Sequence, residues 1–361
     1  MEALTYSRGG PGSTSDGRDT RVRPSRSGQG ATIYQVARRA EVSIATVSRV
    51  LRGSAPVAAP TRARVLSAVE ALHFTPSHSA RSLAEGMHAA NGIVFPDLSG
   101  PYFAEVVLGY EEVAGEMGRS VLILSTHGRQ AARAMVLDLA ARVDGLVVLG
   151  RTVDDDVLAE LTGRAMPLVL LARDPIPGAD AVNAENEESA YALATHLVRD
   201  HGYDSLAFLG DADTSTDTAQ RWHGFRRALR DACVPVPDRP TPCAFDERSG
   251  RQSAGQLLRE RPPRALVCAN DEMALGAIMA AEELGMRVPA DLAVTGWDDV
   301  MAARHSRPGL TTVRQPMREL GALAARRLHE RLAGDQGERR NEVLSTQLVF
   351  RASCGDHMEE N

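Results

Sequence analysis

Apolar residues first recur at helical spacing in the stretch TIYQVARRAEVSIATVSRVL, residues 32–51. Ile33, Val36, Ala37 and Ala40 fall on one face of a helix. Thr32 followed by Gln35 is a capping box that opens it. Ser43 can cap a second helix, with Val47, Val50 and Leu51 as its inner stripe. Two short helices joined by a tight turn predict a helix-turn-helix. A third amphipathic pattern runs from Thr61 to His73, with Val65, Leu66, Ala68, Val69 and Leu72 turned inward. Three such helices suffice for a small core.

Beyond Gly86 and Asn91 short apolar runs alternate with helical stretches. Strands are predicted over 92–96, 121–125, 145–149, 168–171, 206–209, 265–268 and 292–296. Helices are predicted over 104–117, 131–141, 189–200, 221–233, 249–259 and 271–284. This rhythm predicts an α/β fold with parallel sheets. There are too many units for one sheet, which predicts two similar subdomains. Ligands bind at the carboxyl ends of such strands, so a cleft between the two is expected to hold one.

At 361 residues and 43% hydrophobic composition, the chain can form two or three globular domains. It has no apolar run long enough for a transmembrane helix and no apolar segment behind the first basic residues that reads as a secretory signal, so a cytoplasmic protein is expected. Cys233, Cys243, Cys268 and Cys354 form no C-x-x-C pair and have no histidine cluster near them in sequence. Neither a zinc site nor a disulfide framework is expected, only reduced thiols. The net charge of -6 hides an asymmetry: of the 41 basic and 47 acidic residues, 12 and 6 lie in residues 1–85. A basic head on an acidic body suggests that the head meets a polyanion. Residues 1–30, rich in Gly, Ser, Arg and Pro, cannot bury enough surface to fold and read as a disordered tail.

Six segments then carry a family resemblance. They are TIYQVA…VSIATVSRVL, PSHSARSLA at 76–84, RWHGF at 221–225, CANDEMALG at 268–276, VPADLAVTGWDD at 288–299 and PGLTTVRQP at 308–316. In this order they resemble the lac and galactose repressor family of bacterial regulators, from about Ala31 to about Phe350. The resemblance implies an N-terminal all-α helix-turn-helix head at 31–76 and a hinge helix and linker at 77–88. It also implies an α/β periplasmic-binding-protein-like core at 89–361, built of two doubly wound parallel-sheet subdomains. Subdomain one is expected at 89–185 and 314–335, subdomain two at 186–313 and 336–361.

On this resemblance the second helix enters the major groove. Ile44, Ala45 and Arg49 are the expected base readers, with Arg49 suited to a bidentate bond to guanine. The hydroxyls of Ser43, Thr46 and Ser48, joined by Thr32 and Tyr34, are suited to phosphates. In the hinge, Leu83 would wedge between base pairs of the minor groove, flanked by Ala80 and Arg81; a plain linker is the alternative. A homodimer on a palindromic operator follows. The polar C-terminus, without leucine heptads, favours a dimer over a tetramer. Two residues depart from the family: Glu41 replaces the usual glycine of the turn, and Ala58 the usual serine before the third helix.

For the cleft, the resemblance implies Tyr102, Phe103, Arg221, Asn270, Asp271, Trp297, Asp298 and Gln315 as ligand-binding residues. Asp271 is equally a helix N-cap, Asn270 can satisfy loop backbone, and Trp297 can be core. Ala172 stands where many relatives carry aspartate, and Glu185 where they carry aspartate at the start of the second subdomain. A sugar or sugar derivative is expected, with nucleobases or other small polar molecules as alternatives. No G-x-G-x-x-G after a strand, phosphate loop, nucleophile elbow or metal spacing is present. A regulator, with no enzyme activity, cofactor or metal, is therefore expected. A soluble sugar-binding protein would explain the core but not the head.

Overall fold

The computed structural model describes residues 31–52, 55–74, 88–126 and 129–356. The expected tail and the hinge residues Ala80, Arg81 and Leu83 lie outside them. The chain divides into two units, Met1–Ala80 and Arg81–Asn361. Among the described residues no helix is long and apolar enough to cross a membrane.

The first unit is the three-helix head: α1 (Ile33–Ala40), α2 (Ile44–Arg52) and α3 (Ala59–Ala71). Its core is Val36, Ala37, Ala40, Val47, Val50, Val65 and Ala68. Leu66, expected inside, is 50% exposed, because Val65 and Ala68 already turn that face inward. At the first cap the Thr32 N–H donates to Gln35 Oε1 at 2.7 Å, and Ser43 Oγ accepts from the Thr46 N–H at 3.2 Å. Ala58 precedes α3 and makes no side-chain cap; Pro60 at the first turn needs none for its own nitrogen.

Glu41 ends α1 in the left-handed region, at φ 54 and ψ 46. Its side chain meets a real steric penalty there, which glycine would not. Glu41→Gly is therefore expected to stabilise the head by about 1 kcal/mol, read as a higher denaturation midpoint of the head. An unchanged or lower midpoint would remove the strain argument.

The second unit begins with β1 (Ala90–Phe95), α4 (Pro101–Glu116), β2 (Ser120–Ser125), α5 (Ala132–Ala140), β3 (Gly145–Leu149), α6 (Asp155–Gly163), β4 (Leu168–Leu171) and β5 (Asp180–Ala184). There follow α7 (Glu187–Arg199), β6 (Leu206–Leu209), α8 (Thr216–Asp231), α9 (Glu247–Glu260), β7 (Ala265–Cys268), α10 (Asp271–Glu283), β8 (Ala293–Thr295), α11 (Met301–His305) and β9 (Thr312–Arg314). Last come α12 (Met317–Leu332), β10 (Asn341–Leu344), β11 (Gln347–Val349) and a 3-10 turn (Ala352–Cys354). The apolar runs LVVL and LVLL are buried on both faces, as strands of a covered parallel sheet must be.

One sheet runs β10-β5-β4-β3-β1-β2, all parallel. The other has β6-β7-β8 parallel, extended by single bridges to Thr241 and Thr311, with β9 and β11 paired antiparallel alongside. The order reverses between β1 and β3, the switch point where such sheets hold ligands. One expected boundary is corrected. Residues 341–344 form the outer strand of the first sheet, so the chain returns to the second subdomain at 345–346 instead of 336. The chain thus crosses between subdomains at 185–186, 315–316 and 345–346.

Helices on the sheets meet at glycines. On the first sheet α4 and α12 touch backbone to backbone at Gly109 and Gly321: a Cβ on either would collide with the Arg318 or Val106 carbonyl. Gly224 of α8 sits in the same way against the Glu187 carbonyl, and Gly276 of α10 against that of Glu247.

Candidate functional site

The head places most of the side chains expected to meet DNA at its surface. Tyr34 is 69% exposed and Ile44 40%. Ala45, Arg49, Thr32 and Ser43 are exposed, and Thr46 and Ser48 half-buried. Ser43 and Thr46 share a hydroxyl–hydroxyl bond of 2.9 Å, so Ser43 serves first as the cap of α2. Ile44, Ala45, Thr46, Ser48 and Arg49 of α2 stand clear of the core, and the head has six arginines against Glu41 and Glu70 over residues 31–74.

A cavity of about 870 Å³ lies in the second unit, at the carboxyl ends of both sheets. From the first subdomain it is lined by Asp97, Tyr102, Phe103, Gly150, Arg151 and Ala172. From the second come Asp211, Asp217, Arg221, Phe245, Asp246, Asn270, Glu272 and Asp298, with Gln315 at a crossing. Arg151 reaches across the cleft, donating to the Asp213 carbonyl at 2.8 Å.

Arg221 is the most firmly held of these. It is 3% exposed. Its Nε donates to Asn186 Oδ1 at 2.7 Å and Nη1 to the Ala269 carbonyl at 2.7 Å, while Nη2 lies 3.5 Å from Asp217. Its guanidinium stacks 4.3 Å from the centre of the Trp297 ring. Asp298, at φ 116, sits in a strained backbone of the kind that persists at binding sites. Burial pushes its carboxyl up to about 7 against the pull of Arg221 and of a hydrogen bond from Gln315 Nε2. Burial also raises Asp217, with Arg221 opposing. Tyr102 Oη and Gln315 Oε1 are buried and have no hydrogen-bond partner among the described residues. Polar atoms of this kind in a cavity wall are what a hydroxylated ligand would satisfy.

Residues 32–77 match the family described as bacterial regulatory proteins, lacI family, and 194–354 the periplasmic binding protein-like domain. The HTH-type transcriptional repressor PurR of Photobacterium profundum is 33% identical over 332 residues, covering 90% of this chain and 99% of that protein. This chain belongs to the lacI family. It is a DNA-binding transcriptional regulator. A crystal structure of the lac repressor dimer bound to operator and the anti-inducer ONPF superposes with a TM-score of 0.82 at 29% identity, covering 91% of this chain and 100% of that one. The transcriptional regulator CelR in complex with cellobiose gives 0.67 at 28%, covering 90% and 99%.

In this regulator Tyr102, Phe103, Arg221, Asn270, Asp298 and Gln315 come together on the cavity wall as expected. Asp271 and Trp297 do not. Asp271 is fully buried; its carboxylate accepts from the Val300 N–H at 2.9 Å and the Thr312 hydroxyl at 2.6 Å, tying two loops. Asn270, not Asp271, caps α10, accepting from the Met273 N–H at 2.9 Å. Trp297 is 2% exposed and supports Arg221 from behind. Glu185, which stands where relatives carry aspartate, caps α7, accepting from the Glu188 and Ser189 N–H groups at 2.6 and 3.0 Å. The departure at Ala172 does face the cavity.

The sequence reading missed Asp97, Arg151, Asp211, Asp217, Phe245, Asp246 and Glu272. Asp217 was findable, one helical turn before Arg221. Glu272 lies in the first turn of α10, beside Asn270, and the segments carrying the others have no periodic signal. Histidines do approach a cysteine in space, against expectation: His196, His201 and Cys354 bring their donor atoms within 4.8 Å of one another.

Proposed function

We propose that this regulator is a cytoplasmic repressor that binds a palindromic operator as a homodimer and is controlled by a neutral sugar or sugar derivative in the cavity. Arg49, Ile44 and Ala45 read bases. Ser43, Thr46, Ser48, Thr32 and Tyr34 hold phosphates, and Leu83 with Ala80 and Arg81 serves the minor groove. The observation that carries the ligand class is the charge of the cavity wall. Six carboxylates (Asp97, Asp211, Asp217, Asp246, Glu272, Asp298) face two arginines, Arg151 and Arg221. Burial raises Asp217, Glu272 and Asp298 toward the neutral form, yet the wall still offers no surplus of positive charge to a phosphate or carboxylate; its carboxyl groups can bond sugar hydroxyls, while Tyr102 and Phe103 supply an aromatic face. The regulator CelR binds cellobiose in the same fold, which supports this reading. The ligand is bound and released unchanged, and no cofactor takes part.

The ligand acts by differential affinity for two arrangements of the subdomains, the only way it can shift DNA binding. The test is fluorescence anisotropy of the purified protein on its own upstream DNA at fixed salt, titrated with neutral sugars, sugar phosphates and nucleobases. A shift caused by a neutral sugar supports the reading, and its sign separates inducer from corepressor. A shift caused only by an anionic ligand or a nucleobase overturns the ligand class. Absence of any sequence-preferring binding overturns the operator role.

Asp298 gives this site a pH dependence. A sugar hydroxyl bonds more strongly to the ionised carboxylate than to the acid. Binding therefore releases a proton, and sugar affinity is expected to rise as pH increases through about 7. Asp298→Asn should flatten that rise in a calorimetric pH series; a rise unchanged in the variant would assign it elsewhere.

A further inference from the structure

Away from the cleft, the last turn of α7, the turn that follows it and the C-terminal 3-10 turn bring together three donors. His196 Nε2 and His201 Nε2 face each other at 3.0 Å, and Cys354 Sγ lies 3.8 Å from each. The two rings stand perpendicular, 4.7 Å between centroids. Tetrahedral zinc, with Zn–N of about 2.0–2.1 Å and Zn–S of about 2.3 Å, places two nitrogens about 3.3 Å apart and nitrogen and sulfur about 3.5 Å apart. The observed triangle is within a few tenths of an ångström of that on every edge.

The surroundings are those of a metal ligand set as well. Asp200 Oδ2 lies 2.6 Å from His196 Nδ1, which fixes the proton on Nδ1 and leaves the Nε2 lone pair for a metal. The Thr311 hydroxyl lies 3.0 Å from Cys354 Sγ. Phe350 packs on His196 at 4.2 Å and Tyr203 stacks on His201 at 5.7 Å, walling the group off from water on two sides. Tyr203 Oη donates to the Cys354 carbonyl at 2.9 Å, which holds the turn in place.

We propose that His196, His201 and Cys354 supply three ligands of a binding site for zinc(II) that pins the C-terminal turn to the end of α7. In the metal-free protein the facing nitrogens make an N–H···N hydrogen bond. The site stands apart from the cavity and depends on neither the operator nor the sugar reading.

The test is titration of the metal-stripped full chain with cobalt(II) as a spectroscopic probe, followed by zinc(II) competition. Expected are one equivalent of cobalt with a thiolate charge-transfer band and tetrahedral d–d bands, displaced by zinc. Cys354→Ser and His201→Gln should lose the band, and Cys233→Ser, which alters the exposed thiol, should keep it. Asp200→Asn, which changes only the positioning of His196, should keep the spectrum and weaken affinity about 10–100-fold. A native chain without the band, or a band that survives in folded Cys354→Ser, overturns the site. Should Cys354→Ser fail to fold by circular dichroism, His201→Gln decides: full cobalt affinity in that variant overturns it.

Discussion

Arg221→Met is expected to weaken sugar binding by roughly 30-fold or more while operator binding persists. Removing one member of a buried, hydrogen-bonded charge pair costs about 2–5 kcal/mol, and each 1.4 kcal/mol is about a factor of ten. Arg221 is the cation beside Asp217 and Asp298, and it is locked by Asn186, the Ala269 carbonyl and the Trp297 ring. Without it the two carboxyls lose the neighbour that opposes their burial, and both rise further. Asp298 then stays protonated at neutral pH and accepts hydroxyl donors poorly. Methionine keeps most of the volume, so the cavity wall persists. The measurement is the anisotropy titration with the sugar that acts on the native protein. An intact response at native concentrations would make Arg221 a scaffold residue only.

The largest stability effect is expected at Asp180. Its two carboxylate oxygens accept from Arg331 Nε and Nη2 at 2.7 and 2.8 Å, and one also accepts from the Arg340 N–H at 2.8 Å. Arg331 in turn donates to the carbonyls of Asp335, Gly337 and Glu338. Both residues are buried, so Asp180→Ala leaves Arg331 with only the half-buried Asp335 carboxylate, 3.4 Å away, as an ion-pair partner, and a loop without its anchor. The expected loss is about 3–5 kcal/mol of core stability, read in urea unfolding. A loss below about 1 kcal/mol would mean that the backbone carbonyls alone hold Arg331. Burial works to raise the Asp180 carboxyl, but the hydrogen bonds from Arg331 and Arg340 outweigh it and hold the group below its usual range. A lowered folded value means the contribution is complete above the unfolded pKa of about 3.9 and is lost as pH falls through the folded one. The native core should therefore lose stability in acid, and Asp180→Ala should lack that part of the acid transition.

The strands β1, β3, β4 and β6 to β8 were legible because burial on both faces leaves no alternation to misread, and the edge strand β2 was legible from its apolar run VLIL although it is partly exposed. The strands β5, β9, β10 and β11 were not. DAVNA and NEVL are short and half polar, and they become strands only because the neighbouring backbone pairs with them. That is why the subdomain boundary was placed too early. At the site, residues directly after strands, such as Asn270 and Asp298, follow from topology alone. Asp271 and Trp297 follow those strands too, but alternate residues there point away from the cavity, and one residue of register decides between ligand and core. The left-handed turn at Glu41 was legible only through the family resemblance, which puts glycine at that position; glutamate itself carries no signal for it. The meeting of His196 and His201 with Cys354 depends on packing across more than 150 positions, which no local pattern encodes.

The glycine contacts between helices bear on how a signal can leave the cavity. Where backbones touch with no side chain between them, as at Gly109 and Gly321, neighbouring helices have no soft layer on which to slide. Shear within a subdomain is therefore closed off, and compliance concentrates in the three crossings at 185–186, 315–316 and 345–346. Three parallel strips joining two stiff plates make a flexure: it bends easily about one axis and resists twist. Closure of the cleft is then a change of angle, and a dye pair placed on its two lips would report it directly.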